Sequence, residues 1–156
     1  MALHESEIEL SELDGERILE QWSWLVRGMR LVAMNAFGDL FLVDPSGSVH
    51  MLDVALGELH PIASTVEELQ EKAKDPGTAE KWFMPKLVEE ARSRGLQPDD
   101  SQCLSFRKPI ALGGTLSVDN LQVMNALAYH MISSRLNDER RKRPIGPLLD
   151  GFGGEE

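Results

Sequence analysis

The sequence predicts an α+β domain, an antiparallel meander of three to five strands packed against two to four helices. Three observations predict it. Residues 36–54 hold two apolar, β-prone runs around Asp44-Pro45-Ser46-Gly47. Pro presets φ at the second turn position and Gly accepts positive φ, so this segment reads as a hairpin. Residues 64–94 carry the capping and apolar-stripe patterns of helices. No linker or internal repeat divides the 156 residues, a length that suits one domain.

Taken in order, residues 1–19 form an acidic N-terminal lead-in, frayed up to residue 13, with a short helix from Gly15 to Gln21 pointing Ile18 and Leu19 inward. Residues 20–144 make the domain, and 145–156 read as a disordered Gly-rich tail. Trp22 to Val26 is aromatic and β-branched, and strand and helix cannot be separated there. Arg30 to Met34 reads as a strand. In the first hairpin strand Phe37, Phe41 and Val43 share one face and Leu40 and Leu42 the other, as in a central strand covered on both sides. Its partner runs from Ser48 to Val54, and Glu58 to Ile62 follows as a third strand. Pro61 lacks a ladder donor, which places that strand at an edge.

Ser64 with Glu67, or Thr65 with Glu68, makes a capping box for a helix that stops before Asp75-Pro76-Gly77. A second helix spans about Thr78 to Arg94, with Phe83, Leu87 and Ala91 on one stripe, kinked or restarted at Pro85 and closed by Gly95. Cys103 to Phe106 is a return strand, and Gly113-Gly114 breaks the loop after it. A terminal helix from about Met124 to Lys142 presents Leu127, Ala128, Met131, Ile132 and Leu136 as its buried face, with Pro144 and Gly146 ending it.

Hydrophobic content of 42% and charged content of 27% are those of an ordinary globular chain. The single cysteine, Cys103, excludes an internal disulfide and suits a reducing compartment. The N-terminus shows no basic-then-apolar signal pattern, and no apolar run reaches the roughly 20 residues of a membrane span. A cytoplasmic protein without membrane association is expected. Net charge is −10, and Glu5 to Glu20 contains seven acids against Arg17 alone, a net −6 in one short segment. Phosphate-binding surfaces need Lys and Arg, so nucleic acid is not an expected ligand, whereas a basic protein partner is. A solvated face serving solubility is the plainer alternative.

No catalytic constellation survives inspection. His50 and Asp53 lie on one strand but alternate to opposite faces, and His60 is on the next strand. There is no metal-binding motif, so neither a metal nor another cofactor is expected. Cys103 and His130 are the one Cys–His combination, but Cys103 sits in an apolar strand where a thiol behaves as a small hydrophobe. Trp22, Trp24, Trp82 and Phe83 are candidate interface residues, with Phe83 in the apolar period and Trp82 at its rim. The run Arg140-Arg141-Lys142-Arg143 complements the helix macrodipole at its C-terminus. Asp39, a carboxylate in an apolar strand, is either hydrogen-bonded for structure or held out for a partner.

Several stretches carry a family resemblance: Ala36-Phe37-Gly38-Asp39-Leu40-Phe41, Val49 to Asp53, and Glu80-Lys81-Trp82-Phe83-Met84. Further matches are Gly95-Leu96, Gln102-Cys103-Leu104-Ser105-Phe106, Pro109, Leu112-Gly113-Gly114 and Asn120. In order and spacing, over residues 20–132, the chain resembles the C-terminal domain of bacterial type VI secretion immunity proteins that protect against a DNase toxin. The resemblance implies a non-enzymatic, cytoplasmic binding protein that docks on a secreted toxin and neutralises it. An acidic surface would oppose the toxin's basic groove, with Asp39, Asp53, Glu58 and Trp82 as partner-binding residues. Two rival readings are a small-molecule or enzymatic pocket lined by His50, His60 and Cys103, and a homodimer formed through a sheet edge.

Overall fold

The computed structural model describes residues 2–143. The expected tail at 145–156 and the helix stop at Pro144 and Gly146 lie outside the described residues. The chain passes through two helices, α1 (Glu12–Gln21) and α2 (Ser23–Val26), into a four-stranded antiparallel meander. Its strands, β1 (Arg30–Met34), β2 (Leu40–Val43), β3 (Val49–Asp53) and β4 (Glu58–Ala63), lie side by side in chain order. Three helices follow, α3 (Val66–Ala73), α4 (Pro76–Phe83) and α5 (Pro85–Ser93). A second, two-stranded sheet of β5 (Gln102–Phe106) and β6 (Leu121–Asn125) then leads into α6 (Ala126–Lys142).

β2 is buried along its whole length and explains the layering. Leu40 and Leu42 face a core shared with Ile18, Trp22 and α6, whereas Phe41 and Val43 face a second core with Leu69 and Phe83 from α3 and α4. A strand apolar on both faces has to be covered on both faces. Phe37 departs from the expected alternation, because residues 36–38 turn away from the sheet. It joins a third core with Phe106, Leu121 and Ala91, which attaches the small sheet and α5. β4 is an edge strand, as Pro61 requires.

Four expectations need correction. The segment before α1, expected to be frayed, is tied to the domain, since the Ile8 amide donates to the Met34 carbonyl at 2.9 Å, while Ile18 on α1 points inward as expected and is fully buried. Cys103–Phe106 does not return to the meander, since its partner is the apolar stretch that becomes β6. The helix expected from Thr78 to Arg94, kinked or restarted at Pro85, restarts there, which adds one to the number of helices. The residue before a proline is disfavoured in αR, and Met84 breaks the chain with φ of 45°, the only positive φ outside glycine among the described residues. Pro85 then occupies a first-turn position, and Pro76 does the same behind its N-cap Asp75, so six α-helices stand among the described residues where two to four were expected.

The fourth correction concerns α6. Its buried side chains are Tyr129, His130, Ser133, Ser134 and Asn137, while Met131 and Ile132 of the expected apolar face are 51% and 55% exposed. Two indoles decide this rotation. Trp22 Nε1 donates to His130 Nδ1 and Trp24 Nε1 to Ser134 Oγ, both at 2.8 Å. Ser134 Oγ donates onward to the Gln21 carbonyl. An indole N–H buried without an acceptor costs about 1–3 kcal/mol, comparable with what burying one methionine gains, and this rotation satisfies two indoles at once.

Gly57 sits at the closest approach of α6 to the meander. It has φ of 65°, and a Cβ there would lie 2.5 Å from Asn137 Cβ, whereas Gly47 at φ 93° has open space around it. Gly57→Ala should therefore cost about 3 kcal/mol, the sum of left-handed strain and overpacking. Gly47→Ala should cost only the strain, about 1–2 kcal/mol. Urea denaturation of the two variants would check the difference.

Candidate functional site

The four residues nominated from sequence do not form one surface. Asp39 is only 8% exposed and its carboxylate is spent inside the protein. Oδ1 accepts the Val54 amide at 2.9 Å and Oδ2 accepts Asn35 Nδ2 at 3.0 Å. The structure thus assigns Asp39 the structural account of the two open to it, because a carboxylate so enclosed offers nothing to a partner. Asp53 is half-buried nearby, with Oδ1 accepting the Leu56 amide at 3.1 Å in the turn from β3 to β4. Glu58, its cross-strand neighbour, is exposed and lies 3.3 Å from His60 Nε2. Trp82 is half-buried, edge-on to Phe41 with ring centroids 5.9 Å apart. It is a core-edge side chain; Phe83 is fully buried, as its period implied.

Asn35 is the residue that sequence reasoning missed. Fully buried, it uses every hydrogen-bonding position of its amide. Oδ1 accepts the Phe37 and Asp39 amides at 2.9 Å each, and Nδ2 donates to Asp39 Oδ2 and to the Trp82 carbonyl at 2.8 Å. A buried amide is tolerated when all its positions are satisfied, and this one joins β1, the turn before β2, and the end of α4. The only sequence signal was an Asn four residues before an Asp, a spacing that also occurs in ordinary turns.

The groups of the rival pocket are scattered. His50 Nε2 bonds Asp44 Oδ2 at 2.9 Å within the hairpin. His60 is exposed on the edge strand, and Cys103 is fully buried. Burial pushes the Cys103 thiol far above its ordinary range, with Asp39 adding to the effect, which disfavours the thiolate that a nucleophile needs. His130 is buried and neutral, its pKa lowered to about 3 by desolvation. Because Nδ1 accepts from Trp22, the proton sits on Nε2, which faces the Gly38 backbone without closing a good hydrogen bond. Cys103 and His130 therefore serve packing. Among the described residues no three His, Cys, Asp or Glu side chains converge as a metal site.

The basic run folds back on its own helix. Arg141 bonds Asp138 and covers the Trp24 ring at 4.9 Å, Lys142 pairs with Asp138 at 3.3 Å, and Arg140 donates to Asn137 Oδ1 at 2.7 Å. The acidic N-terminal segment behaves differently. None of its acids from Glu5 to Glu20 makes an ion pair among the described residues, and Glu5, Glu9, Glu12 and Glu16 are exposed. These four line a groove of about 820 Å³ between the N-terminal segment, α1 and the outer edge of β1, where, among the described residues, Arg30 is the only Lys or Arg and His4 the one histidine. The fold here gathers uncompensated charge around a concave surface.

Residues 63–137 match the family of the T6SS immunity protein Tdi1, C-terminal domain. This is the family that the sequence resembles, and its match runs from the end of β4 through most of α6, just under half of the chain. The hairpin residues 36–53 precede the matched span. No curated protein matches the chain. Among solved structures, the crystal structure of Atu4351 from Agrobacterium tumefaciens shares the fold at 16% identity, with a TM-score of 0.55 over 78% of this chain. The likeness spans 64% of that chain's length.

Burial of Asp39 beside Asp53 gives a pH dependence with a defined sign. Desolvation, then Asp53, raises the Asp39 pKa from 3.8 to about 7, so its contribution is present at low pH and lost as pH rises through about 7. His130, lowered from 6.5 to about 3, contributes above 6.5 and loses its contribution as pH falls. The two oppose each other below 6.5, leaving Asp39 uncompensated above it. Melting temperature should rise from pH 8 to pH 6.5, and in Asp39→Asn this rise should vanish while acid loss below pH 6.5 steepens. Calorimetry across that range checks it. Asn35→Ala, which strands Asp39 and the Trp82 carbonyl together, should cost about 3 kcal/mol or more by urea denaturation.

Proposed function

We propose that this chain is an immunity protein of the type VI secretion class, acting in the cytoplasm without catalysis by docking on a secreted toxin and neutralising it. The match of residues 63–137 to the T6SS immunity protein family carries the reading. The architecture supports binding over chemistry, because the buried titratable groups are closed inside the core and the exposed acids stand unpaired around a groove. Such an acidic face complements the cationic surface a nuclease uses to hold phosphates, which makes a nuclease the toxin of choice. No helix among the described residues is long and apolar enough to cross a membrane.

Of the residues nominated from sequence, Glu58 and Trp82 keep some outward surface, while Asp39 does not. A second reading, self-association, draws on Met131 and Ile132, whose apolar side chains stand on the outer face of α6.

The experiment is titration of a purified toxin encoded beside the gene with this protein. Stoichiometric neutralisation that reaches completion near equimolar protein, and weakens as salt rises, is the expected result. Substoichiometric, turnover-dependent protection would show catalysis instead. Failure to bind any neighbouring toxin, with a dimer in solution, would favour self-association.

A further inference from the structure

We propose that the outer edge of β1 is a docking site for an extended, basic segment of the partner protein, which adds to the meander as a further strand. The identity of that partner as a toxin rests on the immunity reading, but the surface is defined by the fold alone.

The two edges of the meander are treated differently. At β4, Pro61 removes a ladder donor and α3 leans over the strand, with Lys72 Nζ donating to the Ile62 carbonyl at 2.9 Å. At β1 the backbone of the N-terminal segment pairs with the strand, among the described residues, only where Ile8 meets Met34. Beyond that bridge, the Leu10 amide turns back to the Ile8 carbonyl and the chain leaves to begin α1. From Arg30 to Ala33, no backbone hydrogen bond reaches the outer edge of β1 among the described residues. The edge is left at the bottom of the groove.

The groove fits an extended chain with alternating side chains. Leu10, Leu19, Met29 and Leu31 provide apolar surface, while Glu9, Glu12 and Glu16 provide the acidic wall. Residues of an added strand alternate between two faces, so apolar and basic residues in alternation would meet these surfaces in turn. Charge selects among occupants. Residues 144–156 contain Asp150, Glu155 and Glu156 and no base, so the tail of this chain is a poor occupant. A second copy placed edge to edge would set two glutamate walls together. Nucleic acid and anionic membranes are repelled by the same wall. A Lys- or Arg-bearing protein segment is the occupant that remains.

Amide hydrogen exchange on the full chain tests the site, using as probe a peptide of alternating Lys and Val. A second peptide of equal charge, with Pro in place of Val, cannot add as a strand. The Lys-Val peptide should slow exchange within Arg30–Ala33, and the combined variant Glu9→Gln, Glu12→Gln, Glu16→Gln should weaken its binding by about tenfold or more. Equal binding by the proline peptide, protection elsewhere, or no binding would overturn the proposal. The same exchange measurement with the neighbouring toxin separates the two claims. Neutralisation with Arg30–Ala33 still exchanging freely overturns the groove and leaves the immunity reading intact. A toxin that does not bind removes the immunity reading, and the peptide result then judges the groove by itself.

Discussion

The amide of Asn35 is the constraint on which the rest of the structure depends. Through its four hydrogen bonds and those of Asp39, the turn between β1 and β2 holds Val54 after β3 and the Trp82 carbonyl at the end of α4. The same turn presents the Ala36 carbonyl to the Leu104 amide at 2.7 Å, which hangs the second sheet on the first. Three apolar cores therefore meet at one small polar knot. Apolar contacts alone would let these layers slide by a rotamer or a register, since burial is nearly indifferent to direction. Directional bonds from a fully satisfied buried amide admit one arrangement, at the expense of enclosing a carboxylate that would prefer a proton.

A second set of polar pins orients α6. A helix packed by its apolar stripe would bury Met131 and Ile132, yet here they face outward because Trp22 and Trp24 need acceptors and find them in His130 and Ser134. Asn137 completes the seam close against Gly57, its Nδ2 donating at 2.9 Å to the Ser133 carbonyl within α6 and pointing across to the Val54 and Ala55 carbonyls at 3.5 and 3.4 Å. Small and polar side chains allow the near approach that leucines would block. His130 accepts the indole proton only while neutral, so its lowered pKa follows from the packing that α6 requires and needs no catalytic explanation.

Much of the fold was legible because local chemistry decided it. Asp44 takes the Ser46 and Ser48 amides into its own carboxylate, as a Pro-Ser-Gly turn needs, and its pKa is held low first by the Ser46 hydroxyl, then by His50, with those amides adding to the effect. Thr65 caps α3 by accepting the Glu68 amide at 3.0 Å, and Gly95 closes α5 with the Leu96 amide returning to the Ala91 carbonyl. Other features depend on residues far apart in sequence, and these were not legible. Trp22 and His130 are 108 positions apart, and no hydropathy pattern says that one will supply the other's acceptor. The role of Asp39 was open for the same reason, since Val54 and Asn35 become its donors only after the sheet has formed. In both places an apolar period was overruled by a hydrogen bond that could not be left unmade.

The pairing of charges separates what holds the fold from what does not. Asp44, Asp75 and Asp138 each have a hydrogen-bonding partner within a few residues, and each has its pKa lowered by it. Glu7 accepts the Leu3 and His4 amides, whereas Glu5, Glu9, Glu12 and Glu16 around β1 have neither an ion-pair nor a side-chain hydrogen-bond partner among the described residues, so removing these four breaks no such contact. Their mutual repulsion acts against the compact chain, if weakly, because they are exposed and screened. A protein selected for stability alone has no use for such a face. Charge held apart from its own bases is available to an external cation, and the open strand edge beneath it gives that cation's backbone something to bind. The same acids that contribute least to the isolated domain are therefore those best placed to contribute to an association.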